Sequence, residues 1–169
     1  VQEILMISKM ESWGFSLKKK ELDLAELVRR QLADLTELFE QKNMKLEITL
    51  PDQCLCRVDP ALMETVLRNV LVNAVRYSPE KERIRVNLYK EIQEISCEGC
   101  LRGSGNPVDA KEKTQGHKTV RLEVENTGVH IEDAELSRVF DAFYRVDSSR
   151  NRKSGGSGLG LYIVRQILE

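Results

Sequence analysis

The sequence carries little net charge and has no long apolar run. Its 26 basic and 27 acidic side chains leave a formal net charge of −1 at pH 7. Such a balance gives no general attraction for nucleic acid or for anionic lipid, so we expect no nucleic-acid partner. No apolar stretch approaches the roughly 20 residues that a membrane-spanning helix needs, and no basic segment of a signal peptide precedes the first residues.

Cysteine is scarce, with four residues in 169. Cys54, Cys56, Cys97 and Cys100 could nominally supply the four ligands of a zinc ion. Cys54 and Cys56, however, alternate with Leu55 in a strand-like run, and the other two open a glycine-rich polar stretch. Reduced thiols are therefore the favoured interpretation.

The pattern of apolar residues predicts both strands and helices. Alternation predicts strands over 44–50, 55–58, 84–88 and 120–124, with a short edge strand over 16–20. Helical spacing predicts helices over 1–12, 23–41, 61–77, 131–140 and 159–168, the second capped by Asp23 and the third by Asp59 ahead of Pro60. We expect an α/β sandwich (α+β), in which helices cover one face of a mixed, mostly antiparallel sheet.

Four short blocks carry the chemistry. The first lies on the helix over 61–77, where Asn69 and Asn73 are four residues apart and so share a face. Arg76 and Tyr77 continue toward the end of that helix. A side-chain carbonyl can ligate Mg²⁺, a cation can contact phosphate, and an aromatic ring can stack on a base.

The other three blocks follow the last predicted strand. They are Asn126-Thr127-Gly128, Phe140-Asp141-Ala142-Phe143-Tyr144-Arg145 and the glycine-rich run from Gly155 to Leu161. The glycines allow backbone N–H groups to approach a triphosphate, and the helix that begins near Leu159 directs its positive dipole at that anion. The basic segment before it, with Arg145, Arg150, Arg152 and Lys153, is by itself typical of a solvated loop.

Together the four blocks, in this order, resemble the N, G1, F and G2 boxes of the catalytic, ATP-binding domain of sensor histidine kinases. That family belongs to the superfamily of gyrase, Hsp90, histidine kinase and MutL ATPases. The resemblance implies a Bergerat-type ATP-binding fold that holds ATP and Mg²⁺. It also implies transfer of the γ-phosphoryl group to a histidine, which must lie outside this chain because His117 and His130 have no phosphoacceptor context.

The resemblance implies specific roles. Asn73 would ligate Mg²⁺ with Asn69 as its companion, and these two with Arg145 would form the catalytic set. Phe140 and Phe143 would anchor the ATP lid over 146–157. The full set of nucleotide-binding residues that the resemblance implies is Asn69, Asn73, Arg76, Tyr77, Asn126, Gly128, Ile131, Arg145, Arg150, Arg152, Gly156, Gly158, Leu159, Gly160 and Leu161.

The second block departs from the family's usual pattern at two positions, Asn126 in place of an Asp and His130 in place of a second Gly. We interpret His130 as a loop residue rather than a ligand or phosphoacceptor. Asn126 stands where the family usually has Asp, which removes the charge from a hydrogen bond to adenine and is expected to cost about 1 kcal/mol. The Asn-Thr-Gly box also resembles that of the vancomycin-resistance type of sensor kinase. Hydrolysing members of the superfamily place a Glu at the position of Asn69, and a carboxamide cannot replace that general base.

Two rival functions stay open: a hydrolysing ATPase, and a degenerate module that no longer binds nucleotide. The resemblance places the end of a dimerisation-domain helix and a linker at 1–13 and the catalytic domain at 14–169, with a loop insertion at 92–118. Expected partners are the dimerisation and phosphoacceptor domain of the same kinase and a response regulator. We expect a homodimeric, plasma-membrane parent whose cytoplasmic part includes this segment, monomeric by itself and lacking the family's last two strands.

Overall fold

The computed structural model describes residues 2–11, 16–93, 117–146 and 156–169. The elements in chain order are α1 (Gln2–Glu11), β1 (Lys20–Asp23), α2 (Leu24–Asp34), α3 (Thr36–Gln41), β2 (Lys45–Thr49), β3 (Leu55–Val58), α4 (Pro60–Tyr77), β4 (Arg83–Gln93), β5 (His117–Asn126), α5 (Asp133–Leu136) and α6 (Gly160–Leu168).

The described strands form two sheets rather than the single sheet that was predicted. Strand β4 lies between β2, which is parallel to it, and β5, which is antiparallel to it. Strands β1 and β3 form a separate antiparallel pair. The larger sheet is therefore mixed, as predicted, because the chain crosses from β2 to β4 through helix α4.

The larger sheet has one apolar face and one charged face. Ile84, Val86 and Leu88 of β4 are buried in one core cluster with residues of α2 and α4. On the opposite face, Arg85 forms ion pairs with Glu47 of β2 at 3.1 Å and with Glu125 of β5 at 2.7 Å. The alternation along β4 thus confirms that the helices cover one face of the sheet.

Aspartates begin two of the helices, as the sequence predicts. The Asp59 carboxylate accepts hydrogen bonds from the backbone N–H groups of Ala61 and Leu62 at 3.1 and 3.3 Å, and Pro60 is the first residue of α4. The backbone N–H of Lys18 donates to the same carboxylate and is the main reason why the pKa of Asp59 is lowered. This cap fixes the start of the helix that carries the first sequence block.

Several predicted boundaries were wrong. The helix predicted over 23–41 is divided at Leu35, whose N–H bonds back to the carbonyl of Leu32 at 3.1 Å and closes a tight turn. The apolar spacing conceals the break because Phe39 beyond it packs into the same core as Leu32. The predicted strand over 16–20 starts only at Lys20, where pairing with Val58 begins.

Two helices are also shorter than predicted. Residues 131–140 contain only the single turn α5, followed by turns, and the last helix begins at Gly160 instead of Leu159. Strands β4 and β5 pair as far as Gln93 and His117, so the ends of the predicted 92–118 insertion are strand; residues 94–116 lie outside the described part. Among the described helices, none combines the length and the hydropathy of a membrane span.

Candidate functional site

A cavity of about 520 Å³ lies between α4, the segment after β5 and the beginning of α6. It collects residues from all four sequence blocks, from Asn69 to Leu161, although these blocks lie far apart in the chain. Most of the predicted nucleotide-binding residues line this cavity: Asn69, Asn73, Arg76, Tyr77, Asn126, Ile131, Arg145, Gly156, Gly158, Gly160 and Leu161.

Asn69 and Asn73 of helix α4 both line the cavity, but their carboxamides differ in hydrogen bonding. The Asn69 amide donates to the carbonyl oxygen of Thr65 at 3.0 Å, which fixes its orientation. Its Oδ1 faces Gly160, where an added Cβ would lie only 3.1 Å away. Asn73, half-buried one turn later, forms no side-chain hydrogen bond with any residue that the structure describes, so its carboxamide is available to a ligand.

The end of α4 reaches the glycine-rich block. An added Cβ on Gly156 would lie 2.9 Å from Nη1 of Arg76 and 3.8 Å from the Tyr77 hydroxyl. Only a residue without a side chain therefore allows the guanidinium to approach this backbone so closely. Arg76 and Tyr77 thus line the cavity beside the loop that leads into α6.

The Asn126-Thr127-Gly128 block is held by the start of β4. The Thr127 hydroxyl donates to the Glu82 carboxylate and accepts from the Arg83 backbone N–H at 3.0 Å. Gly128 has a φ of +81°, and a Cβ there would approach the Glu82 side chain to 2.7 Å. Gly128 therefore does not line the cavity but forms the turn that brings Asn126, Val129 and Ile131 to it.

The third and fourth blocks are joined through their backbones. The Phe143 N–H donates to the carbonyl oxygen of Gly158 at 3.0 Å. Gly158 has a φ of +74°, and an added Cβ would lie 2.8 Å from the carbonyl carbon of Phe143. The predicted anchoring of the lid by Phe140 and Phe143 stays a prediction, because residues 147–155 lie outside the described part; Phe140 and Phe143 are 39% and 65% exposed. The Phe143–Gly158 main-chain bond forms that junction.

Arg145 lies at the same junction. Its Nη1 donates to the carbonyl oxygen of Gly156 at 3.2 Å, and its side chain lines the cavity. Beside it, the guanidinium of Arg138 stacks over the ring of Tyr144 at 4.1 Å from the centroid, a cation–π contact that orients the ring. Arg145 therefore adds a second cation to the wall that contains Arg76.

The beginning of α6 closes the cavity. The Leu159 N–H donates to the Ser157 hydroxyl at 3.2 Å, and that hydroxyl donates to the Glu3 carboxylate of α1 at 2.6 Å. Leu159 itself is 2% exposed and is not among the residues that line the cavity, and its predicted nucleotide contact stays a prediction. The segment around Arg150 and Arg152 lies outside the described residues.

Several lining residues were not predicted. Val124 lies two positions before Asn126 and so on the same face of β5, a signal that strand alternation contains. His130 lies in the loop after β5, as interpreted, and it also lines the cavity. The remaining unpredicted lining residues are Glu3, Val70, Val72, Ala74, Val129, Val139, Tyr144, Val146 and Ser157.

The cysteines are not part of this cavity. Cys54 is buried and Cys56 half-buried, both are free thiols, and burial raises the pKa of each. In the described residues no group of three or more His, Cys, Asp and Glu side chains is arranged to hold a metal ion. Cys97 and Cys100, which complete the zinc interpretation, lie outside the described residues.

Comparison with known proteins gives consistent results. The family profile of histidine kinase-, DNA gyrase B- and HSP90-like ATPases matches residues 58–169. Sensor protein VanSB of Enterococcus faecalis is 32% identical over 169 residues, which are all of this chain and 32% of the relative. Sensor histidine kinase CusS of Escherichia coli is 33% identical over 168 residues, 99% of this chain and 30% of the relative. The chain thus spans about a third of these relatives.

Solved structures show the same fold. The mycobacterial sensor histidine kinase MprB is 25% identical with a TM-score of 0.61, covering 89% of this chain and 78% of that one. The catalytic domain of the histidine kinase ThkA is 22% identical with a TM-score of 0.65, covering 90% and 80%. These matches confirm the predicted mixed α/β fold of a histidine kinase catalytic domain.

The chain belongs to the family of histidine kinase-, DNA gyrase B- and HSP90-like ATPases. Within that family its relatives are sensor kinases, so the resemblance predicted from the four blocks is confirmed. Membership in an ATPase family identifies ATP as the nucleotide.

Proposed function

We propose that this chain is the catalytic, ATP-binding domain of a two-component sensor histidine kinase. It transfers the γ-phosphoryl group of Mg-ATP to a histidine outside the chain. The observation that carries the proposal is the convergence of Asn73, Arg76, Arg145 and the Gly156–Gly160 backbone on one cavity. Phosphoryl transfer needs little covalent chemistry from the protein, and positioning and charge neutralisation supply most of the catalysis.

The residues present fit a magnesium ion. Asn73 offers a carboxamide oxygen that no described residue engages, and Mg²⁺ prefers oxygen ligands while it keeps several waters and phosphate oxygens. When bound, the ion neutralises charge that develops on the phosphates. Asn69 acts as the companion of Asn73, since its amide is already held by the Thr65 carbonyl.

The phosphates bind at the other side of the cavity. Arg76 and Arg145 provide two guanidinium groups, and the glycines before α6 allow the backbone to approach closely. The nine-residue helix α6 adds the positive end of its dipole. Arg150 and Arg152, in the proposed lid over 146–157, add further cations.

The base binds among the apolar lining residues. Val124, Ile131 and Val139 supply apolar surface to the cavity, and Tyr77, which also lines it, supplies an aromatic ring. The Asn126 carboxamide has no side-chain hydrogen bond within the described part of the chain. Its oxygen can accept a hydrogen bond from the amino group of adenine, without the charge that an aspartate would contribute.

The cavity favours transfer over hydrolysis. A general base for water must carry a free carboxylate or imidazole near the phosphate. Among the described lining residues, Glu3 is the only carboxylate, and it accepts the hydrogen bond from Ser157. The only imidazole among them is that of His130, which lies between Val129 and Ile131 on the segment proposed to contact the base rather than the phosphates. Asn69, at the position of the base in hydrolysing relatives, cannot accept a proton at neutral pH.

The proposal extends to the longer protein. Residues 1–13 are the end of a dimerisation-domain helix and its linker, and 14–169 are the catalytic domain. The parent is a homodimeric sensor of the plasma membrane with this part in the cytoplasm, and its phosphoryl group passes to a response regulator. The names of the relatives support this assignment.

The test is labelling of the parent protein with γ-³²P-ATP and Mg²⁺. We expect label that is stable in alkali and lost in acid, as a phosphohistidine is, and little phosphate release by the isolated 169-residue chain. Sustained phosphate release by the isolated chain would instead establish the hydrolysing rival. If the chain bound no Mg-ADP at millimolar nucleotide, the rival function of a degenerate, non-catalytic module would be established.

A further inference from the structure

Lys42 lies between the end of α3 and the end of α4. Its ammonium group donates to three backbone carbonyl oxygens at the carboxyl end of α4: Val75 at 2.7 Å, Arg76 at 3.0 Å and Ser78 at 2.8 Å. An ammonium group has three N–H bonds, so the three carbonyls use its whole donor capacity. Lys42 is half-buried, and burial lowers its pKa, an effect that the charge of Glu80 opposes.

The carbonyls at the end of a helix have no intrahelical partners, and they form the negative end of its dipole. The backbone N–H and the hydroxyl of Ser78 both bond to the Ala74 carbonyl. The Lys42 ammonium group donates to the next two carbonyl oxygens of the helix, those of Val75 and Arg76, and its positive charge lies at the negative end of the helix dipole. In α4 a side chain from another element therefore completes the last turn.

Lys42 is itself held from both sides. Its backbone N–H bonds to the Leu38 carbonyl at 3.4 Å, and its carbonyl accepts from the Lys81 N–H at 2.9 Å. The main chain of Lys42 is thus fixed to α3 and to the turn before β4. Its side chain connects that rigid support to the main chain of Arg76, whose guanidinium lies beside Gly156 in the cavity.

We propose that Lys42 is a positioning residue for the nucleotide site, which acts through Arg76 by fixing the last turn of α4. The inference rests on the proposed function, because it assigns Arg76 to the bound phosphates. Lys42 does not line the cavity and contacts no substrate. Its effect on binding must therefore pass through the residue whose carbonyl it holds.

The test is a double-mutant cycle of Lys42→Met and Arg76→Ala, with Mg-ADP affinity measured by titration calorimetry. Methionine keeps the length of the side chain and removes its charge and donors. Lys42→Met should weaken Mg-ADP binding on the order of tenfold in the wild-type background, and less than about twofold when Arg76 is already alanine. Lys45→Met, an exposed lysine three positions later on β2, is the matched control and should bind like the wild type.

A merely structural Lys42 would give other results. If Lys42→Met lowers the melting temperature but leaves affinity unchanged, or weakens binding equally in both backgrounds, the inference is wrong. If Lys42→Met does not fold, Lys42→Gln replaces it, because an uncharged amide has only two N–H bonds for the three carbonyls. A Gln variant with wild-type affinity overturns the inference. Failure of the wild type to bind Mg-ADP would instead remove the proposed function itself.

Discussion

Glu3 and Ser157 are joined by a hydrogen bond of 2.6 Å across 154 positions of the chain, with the serine hydroxyl donating to the carboxylate. Ser157 also accepts from the backbone N–H of Leu159, just before α6. The contact places a negative charge at the wall of the cavity where the phosphates are proposed to bind. The Glu3 carboxylate of helix α1 therefore repels the phosphates of the proposed nucleotide.

The first prediction concerns that charge. Glu3→Gln keeps an oxygen that can accept from Ser157 but removes the repulsion, so Mg-ADP should bind roughly fivefold more tightly, about 1 kcal/mol. Calorimetry at low and high salt measures the Mg-ADP affinity of both proteins. Because salt screens the charge of Glu3, the affinities of Glu3→Gln and the wild type should differ less at high salt. The exposed Glu21→Gln on β1 is the control. Equal affinities of Glu3→Gln and wild type at low salt would show that Glu3 exerts no such field.

A second prediction compares two glycines of the same loop. Gly158→Ala combines a φ of +74° with a 2.8 Å approach to the Phe143 backbone, so it should destabilise the domain by at least 1–2 kcal/mol, roughly 2–8 °C in melting temperature. Gly156→Ala meets only the movable end of Arg76. Its loss of stability should stay within about 0.5 kcal/mol. Thermal melting checks both, and an equal loss in the two variants contradicts the Phe143–Gly158 junction.

Sequence patterns predicted the local features of this fold better than its long-range ones. The strand Leu55–Val58 and the cap of Asp59 ahead of Pro60 depend on neighbours in sequence, and the structure confirms both. The break at Leu35 was missed because both half-helices face one core, so the apolar spacing continues through the turn. The division into two sheets depends on which strands pair, and alternation alone does not encode the partner.

In the candidate site, too, local features could be predicted from the sequence and long-range contacts could not. Asn69 and Asn73 could be placed on one helix face from their spacing. The Glu3–Ser157 bond and the Lys42 cap could not, since each depends on where distant segments meet after folding. Thr127 was quoted only as part of a motif, and its bond to Glu82 became visible only with the start of β4 in place.

A third prediction follows from Asp23. Its carboxylate accepts from the Cys54 N–H at 2.9 Å and from the Ala25 N–H at 3.1 Å, and the Cys54 bond is the main reason why its pKa is lowered from the ordinary value of 3.8. A lowered pKa in the folded state means that this stabilisation is present above pH 3.8 and is lost as the pH falls through the lowered value.

Asp23→Asn should therefore melt below the wild type at pH 7, and the difference should shrink as the pH is lowered past 3.8. Melting temperatures from pH 7 to pH 3 measure it. The control is Asp34→Asn, an exposed residue whose side chain makes no hydrogen bond or ion pair in the described part of the chain. A wild-type advantage over Asp23→Asn that is constant with pH would show that the carboxylate charge plays no part.

The most direct test of the account is the magnesium dependence of nucleotide binding at Asn73. The wild-type chain should bind ADP in the micromolar to sub-millimolar range with Mg²⁺ and more weakly without it. The Asn73→Ala chain should fold normally and bind ADP with no dependence on Mg²⁺, and the same substitution in the parent should lower autophosphorylation by about 10²-fold. Asn73→Asp keeps an oxygen ligand, so its ADP binding should still depend on Mg²⁺. An Asn73→Ala variant with wild-type affinity, the same response to Mg²⁺ and near wild-type phosphorylation would contradict the account.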